Sequence, residues 1–336
     1  MNVTIKDIAN KLNMNFSSVS RALNNKPGVS DNTRKLVIRT AEEMGYHPNT
    51  LARGLVSRTN NTIGVIMPDI INPVFGTITT GLIETANNND YDVFLCITNW
   101  NRKKEEDYIY TLLQKQVAGI IVKSVGDIDS PLFSSINIPL IGYESWSSTH
   151  HFSSVSTDND KAGHIAGEHL IEYGYRKTAI FPGPENSFAG LIRCEGFYRA
   201  CKDHDISPDK SRMFFGDYNI ESGHKLASRL IKEFPDTDSI LAGNDVIALG
   251  VLQYLEENNI KAGEDLGVVG FDNISFASLP HIELTTIKQQ KYSIGRIMMN
   301  LLFEEINNKK QDIENFPQRI LLEPELIVRS TTCKRI

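Results

Sequence analysis

Two short stretches of helical spacing open the chain. Ile5, Ile8, Ala9 and Leu12 fall at i, i+3, i+4 and i+7, one apolar face of a short helix. After a break at Asn13-Met14-Asn15, Val19, Ala22 and Leu23 repeat the spacing, with Asn15 placed as an N-cap. Asn13 is one of the few non-glycine residues that accept the left-handed backbone a tight turn needs. Two short helices so joined form a helix-turn-helix, whose second helix can enter a DNA major groove. A third helix is predicted from Ser30, its cap, to Met44. Leu36, Val37, Ala41 and Met44 make its inner face, Asp31 sits at the positive end, and Gly45 stops it. Residues 50–57 follow as a short, basic, weakly apolar segment, and Arg58-Thr59-Asn60-Asn61 is polar linker. So short a helix is unstable alone in water, and Gly54 weakens it further. It reads as a hinge that orders only when packed on DNA or on a second copy of itself.

From Thr62 the pattern changes to short apolar strands alternating with amphipathic helices. Strands are predicted at 63–67, 91–98, 118–123, 139–143, 178–182, 213–216, 239–242 and 267–270. Between them lie helical faces such as Phe75, Ile78, Leu82, Ile83 and Ala86, or Ala162, Ile165, Ala166, His169 and Leu170. Such alternation predicts parallel sheets covered by helices on both faces. The stretch is too long for one comfortable sheet, so two similar lobes are expected, meeting near 157–161. Ligands in such folds sit beyond the carboxyl ends of the strands, here in the crevice between lobes.

Charge sharpens the division. The whole chain is acidic, with 35 Lys+Arg against 41 Asp+Glu, yet residues 1–60 hold nine basic and four acidic residues. A basic module on an acidic body concentrates phosphate attraction at one end. A helical interaction domain with a solvated basic face is the bland alternative; the helix spacing and the polar start of the second helix favour DNA. Composition is otherwise that of a soluble globular protein, 40% hydrophobic and 23% charged. No apolar run approaches a membrane span and the N-terminus is not signal-like, so a cytoplasmic protein is expected. Cys96, Cys194, Cys201 and Cys333 form no CxxC pair and read as reduced thiols, and the eight histidines show no HExxH-type spacing. His150-His151 reads as a loop rather than a metal site.

Polar residues at the predicted strand ends carry the candidate chemistry: Asp69, Glu144, Asp217-Tyr218, Asn244-Asp245 and Asp272-Asn273, with Arg193 from a helix start. Carboxylates and amides take paired hydroxyls, and aromatic faces cover the apolar side of a sugar ring, so the set suits a polyhydroxylated ligand. For each residue alone the competing explanation is a helix N-cap, which suits Asp158, Asp245 and Asp272. Enzyme signatures are absent: no GxGxxG follows a strand, and there is neither a P-loop lysine nor a GxSxG elbow.

With these pieces in place, the whole chain resembles bacterial transcription regulators of the lactose-repressor (LacI/GalR) family. The head motifs are Thr4-Ile5-Lys6-Asp7-Ile8-Ala9, Val19-Ser20-Arg21-Ala22-Leu23-Asn24, and Gly45-Tyr46-His47-Pro48-Asn49 with Leu51-Ala52-Arg53. The body motifs are Asn72-Pro73-Val74-Phe75, Arg193-Cys194-Glu195-Gly196-Phe197, Asn244-Asp245 with Ala248-Leu249-Gly250, Gly270-Phe271-Asp272-Asn273, and Leu284-Thr285-Thr286-Ile287. Departures are Asn13 where the turn usually has glycine, a less polar Phe16-Ser17, and Gln290 where many members have proline. Trp146 has no assigned counterpart and reads equally as pocket wall or surface loop.

The resemblance implies a non-enzymatic homodimer that binds near-palindromic operator DNA and needs no cofactor or metal. It implies an all-α helix-turn-helix head and an α/β body of two doubly wound parallel-sheet lobes resembling periplasmic sugar-binding proteins. The expected boundaries are 1–46 for the head, 47–60 for hinge helix and linker, and 61–336 for the body. Within the body, an N-lobe covers about 61–157 and 290–318, and a C-lobe about 158–289 and 319–336. DNA contacts carry over to Thr4, Phe16, Ser17, Ser18, Ser20, Arg21 and Asn24, with Leu55 as a minor-groove wedge. Effector contacts carry over to Pro73, Phe75, Glu144, Arg193, Tyr218, Asn244, Asp272 and Gln289. The expected function is repression of a carbohydrate-utilisation operon under control of a small sugar. The nearest alternative is a carbon-catabolite regulator whose corepressor is a phosphorylated carrier protein. A sugar-transport binding protein would lack residues 1–58.

Overall fold

The computed structural model describes residues 3–46, 61–125, 129–144 and 152–335. The chain divides into two compact units, 1–60 and 61–336. The expected hinge segment at 47–60, including Leu55, lies outside the described residues, as do Trp146 and His150-His151.

The head has three helices: α1 (Ile5–Leu12), α2 (Phe16–Leu23) and α3 (Asp31–Glu43). Thr4 and Asp7 close a capping box on α1, and Asn13 takes the left-handed turn at φ 50°. Asn15 holds the N-cap position of α2 in extended backbone, but its side chain makes no capping bond. Ser30 does cap α3, accepting from the Thr33 N–H at 3.2 Å. Ile8, Ala9, Val19, Ala22, Val37 and Ala41 meet in one small core. Leu36, expected on the inner face, is exposed instead. Starting from Val37, the i+3 and i+4 positions are Thr40 and Ala41, both buried; Leu36 lies about 100° off that line. Arg34 ties α3 to the end of α2, its guanidinium donating to the carbonyls of Ala22 at 3.2 Å and Lys26 at 3.0 Å.

The body holds two sheets. The first runs β10-β5-β4-β3-β1-β2 and the second β11-β9-β8-β7-β6; among the described residues only β11 on β9 is antiparallel. In the first lobe, β1 (Thr62–Met67), β2 (Asp92–Ile97), β3 (Gly119–Val122), β4 (Leu140–Tyr143) and β5 (Ser153–Thr157) alternate with α4 (Pro73–Asn87), α5 (Arg102–Gln114) and α6 (Pro131–Ser134). In the second, α7 (Asn159–Glu172), β6 (Thr178–Phe181), α8 (Phe188–Asp203), α9 (Ile220–Glu233), β7 (Ser239–Ala242), α10 (Asp245–Glu257), β8 (Gly267–Asp272) and β9 (Thr285–Lys288) follow. The long α11 (Lys291–Lys310) returns to pack on α4, and β10 (Arg319–Leu322) and β11 (Glu325–Ile327) end the chain in different sheets.

The backbone therefore passes between the lobes three times, after β5, after β9 and between β10 and β11. The last crossing falls at 323–324, not before 319: β10 pairs parallel with β5 and belongs to the first lobe. The stretch expected as a strand at 213–216 is reduced to a bridge between Met213 and Ile180, with the Phe214 N–H bonded to the Ile180 carbonyl at 3.0 Å. Four observed strands, β5, β9, β10 and β11, were not among those expected. β5 reads Ser-Ser-Val-Ser-Thr, yet Ser153 and Thr157 are buried. Ser153 is compensated by donating to Glu305 at 2.5 Å and accepting from the Gln318 N–H at 3.0 Å.

Candidate functional site

Strand ends of both lobes converge on one cavity of about 270 Å³. Phe75, Glu144, Arg193, Tyr218, Asn244, Asp272 and Gln289 all line it. Pro73 does not: it opens α4 at the first helical position, and its neighbours Asn72 and Val74 reach the cavity instead. Asp69, Asp217, Asp245 and Asn273 also stand outside the lining.

Arg193 is the hub, held within α8 and buried. It donates through Nε to Asn159 Oδ1 at 2.8 Å, through Nη1 to the Gly243 carbonyl at 2.6 Å, and through Nη2 to Glu144 Oε1 at 3.3 Å. Its guanidinium lies 3.4 Å from the centroid of the Phe271 ring. Glu144 takes Lys123 Nζ on its other oxygen at 3.4 Å, so one first-lobe carboxylate stands between two cations. Burial alone would raise the Glu144 carboxyl, but Lys123 and Arg193 together hold it below the ordinary range. Glu144 also adopts φ 45°, a left-handed backbone placed where β4 ends.

Opposite lies a buried carboxyl pair. Asp272 accepts from Gln289 Nε2 at 2.5 Å, and the Gln289 carbonyl oxygen accepts from Thr157 at 2.7 Å, which links the lobes. Asp245 accepts from Thr286 Oγ1 at 2.5 Å and from the Ile274 N–H at 2.8 Å. Burial raises both carboxyls, and the nearby Asp272 charge adds to the rise at Asp245. Neither is a helix cap; Asn244 caps α10, accepting from the Ile247 N–H at 2.8 Å while still facing the cavity. For Asp158 the N-cap reading holds, with the Lys161 N–H at 3.0 Å.

A chain of aromatic rings crosses the mouth. Tyr143 meets Phe75 edge-on at 6.4 Å, Phe75 meets Trp100 at 6.1 Å, and Trp100 meets Tyr218 of the other lobe at 6.2 Å. Tyr218 is fixed by Ser187 at 2.6 Å and packs over Gly183, where a Cβ would lie 2.3 Å from the ring. Trp100 and Lys123 are functional-site residues that sequence reasoning missed. Trp100 follows β2 within Thr98-Asn99-Trp100-Asn101, a polar strand end like those already singled out, and donates from Nε1 to Asp69 at 3.1 Å.

In the head, Phe16 is 51% exposed at the start of α2, with Ser17 and Arg21 also exposed beside it. Ser18, Ser20 and Asn24 are half-buried, and Asn24 Nδ2 donates to the Ser20 carbonyl at 2.8 Å. Thr4 is exposed but occupied, its hydroxyl donating to Asp7 at 2.7 Å. Among the described residues no helix is long and apolar enough to cross a membrane.

A helix-turn-helix head and a two-lobed body closing on a polar, aromatic-walled cavity define a ligand-responsive DNA-binding regulator. Residues 4–49 match the bacterial regulatory proteins of the lacI family, and residues 60–320 match the periplasmic binding proteins and sugar binding domain of that family. The chain belongs to the LacI family, whose members are DNA-binding transcription regulators rather than enzymes. It is 32% identical to catabolite control protein A of Priestia megaterium, over 95% of this chain and 98% of that protein. The lac repressor bound to ONPG in its repressed state shares the fold, with a TM-score of 0.89 at 24% identity over 99% of this chain and 100% of that one. A LacI-type regulator from Alkaliphilus metalliredigens complexed with D-xylulofuranose matches at TM-score 0.71 and 28% identity, covering 81% of this chain and 99% of that chain.

Proposed function

We propose that this regulator is a cytoplasmic, homodimeric repressor of a carbohydrate-utilisation operon, induced by a small sugar bound between its lobes. The cavity carries the reading. The carboxylates of Glu144 and Asp272, the amides of Asn244 and Gln289 and the Arg193 guanidinium, drawn from both lobes, face a row of aromatic rings, the furniture that hydroxyls and the apolar face of a sugar require. The xylulofuranose complex of the Alkaliphilus relative supports that ligand class.

Glu144, Trp100 and Tyr143 belong to one lobe; Arg193, Tyr218 and Asp272 belong to the other. A ligand that touches both sets favours the lobe angle that best satisfies them, and the body then passes that preference to the heads. The shift cannot exceed the difference in ligand affinity between the two lobe angles. Phe16, Ser17 and Arg21 read the operator, Ser18, Ser20, Asn24 and Thr4 support them, and Leu55 wedges into the minor groove.

The test has two stages. Mono- and disaccharides, their phosphates and nucleobases are screened by thermal shift on the full chain; a ligand at 100 times its Kd adds about 2.7 kcal/mol. Operator affinity is then measured by anisotropy with and without each hit. A hit that leaves operator affinity unchanged would sink the switch, and a nucleobase hit would replace the sugar. Leu55→Ala should weaken operator binding with the fold intact. The 32% identity to catabolite control protein A favours one second reading, in which a phosphorylated carrier protein is the corepressor. Formation of that complex in the absence of any cleft ligand would establish it.

A further inference from the structure

We infer that α7 and α8 carry a surface site for a divalent transition-metal ion of the zinc class, ligated by His164, Glu168 and Asp203, with His204 positioning Glu168.

His164 and Glu168 are one turn apart on α7 and so share a face; Asp203 is the last residue of α8 and His204 its C-cap. His164 Nε2 lies 3.0 Å from Asp203 Oδ2 and 3.7 Å from Glu168 Oε1. All three ligand atoms fall within 4.8 Å of one another. Donors around tetrahedral zinc, each at about 2.0–2.1 Å, stand roughly 3.3–3.4 Å apart, a value the two measured separations bracket. The second oxygen of Glu168 accepts from His204 Nε2 at 2.9 Å, the outer-shell contact that orients a ligating carboxylate. Without a cation, the two carboxylates share two imidazoles, with His164 lying between them.

The frame is rigid. A Cβ at Gly163 would lie 1.9 Å from the Arg193 carbonyl, and one at Gly196 2.0 Å from the Asp160 carbonyl, so the two helices touch backbone to backbone. Ligands set on such a pair are preorganised rather than gathered by the ion. The side chains of His164, Glu168 and Asp203 are 24%, 29% and 55% exposed, which leaves an entry path and an open coordination position. One imidazole with carboxylates suits zinc, nickel or cobalt(II) over magnesium or calcium. A built-in comparison exists on α9 and α10, where His224 meets Glu257 at 2.7 Å with no third ligand within reach among the described residues. That pair is a plain two-residue hydrogen bond. Arg193 of α8 lines the cleft and is held by Asn159 of α7, so the metal would brace the helices that carry the hub of the effector site.

The experiment uses tag-free, metal-stripped full chain titrated with zinc chloride, read by calorimetry and by thermal unfolding, with magnesium chloride as the comparison. We expect one high-affinity zinc equivalent that is lost in His164→Asn and in Glu168→Gln. His204→Ala should weaken it about tenfold or more. His224→Asn should match the wild type, and cobalt(II) should give a d–d absorption band that His164→Asn abolishes. Circular dichroism confirms that each variant is folded. No zinc uptake by the wild type, or equal uptake by His164→Asn and Glu168→Gln, would overturn the site.

Discussion

Replacing Glu144 by Gln should destabilise the body through charge rather than shape. The side chains of Glu144, Lys123 and Arg193 are only 8%, 13% and 10% exposed, so three charges share one poorly solvated corner. Gln keeps the volume and leaves two cations facing a neutral amide. Arg193 retains the Gly243 carbonyl and Asn159; the amino group of Lys123 loses the carboxylate. Breaking a buried pair from one side costs about 3–5 kcal/mol, and the open cleft lowers that to about 2–3. In a unit of this size the melting point should fall by roughly 5–10 °C. Adding Lys123→Met removes the surplus charge and should recover about half of the loss. Chemical unfolding of the two single variants and the double variant closes a cycle, with an expected coupling of about 1–2 kcal/mol. The carboxyl is held below its ordinary value, so its contribution is present at neutral pH and fades only as acid protonates it. A cost under about 0.5 kcal/mol for Glu144→Gln, or further loss on adding Lys123→Met, would refute Glu144 as the counter-charge of the corner.

Three further outcomes are expected. His169 is buried against Thr332 and burial pushes its imidazole down to about 4, whereas the unfolded chain binds that proton near 6.5. Its stabilisation is therefore complete above pH 6.5 and declines toward pH 4, by up to roughly 3 kcal/mol, and His169→Phe should flatten that slope in pH-dependent unfolding. Gly163→Ala should cost about 3 kcal/mol or more, because its methyl would meet the Arg193 carbonyl at 1.9 Å; wild-type stability by calorimetry would contradict the close helix contact. Trp100 is 45% exposed, so Trp100→Ala should leave the melting point nearly unchanged. It should still weaken any sugar found for the cleft by about fivefold, on the order of 1 kcal/mol of stacking, measured by isothermal titration.

The helical head was legible because its apolar residues repeat at helical spacing and its turn residue, Asn13, is a type that tolerates the required backbone. Leu36 misled because hydrophobicity alone put it inside, while the geometry of α3 gave the place to Thr40. In the body, strands of Val and Ile announced themselves, whereas β5 and β9 hold Ser and Thr whose hydroxyls bond distant partners, Glu305 for Ser153 and Thr332 for Thr285. No local pattern encodes a partner more than forty residues away. The same holds for the cleft: strand-end polarity pointed to Glu144 and Asp272 and was there to be read at Trp100, but Lys123 became visible only once β3 lay beside β4. His164 and Glu168 had helical spacing all along; Asp203, the third ligand atom, comes from another helix.

The placement of β10 and β11 has a genetic consequence. The last seventeen described residues supply an edge strand to each sheet, so neither lobe is finished until that stretch has been made. A late nonsense codon before Arg319 would strip both lobes at once and should behave as a null allele, not as a protein with one damaged half. For the same reason, neither lobe can be cut out of the gene as one uninterrupted reading frame.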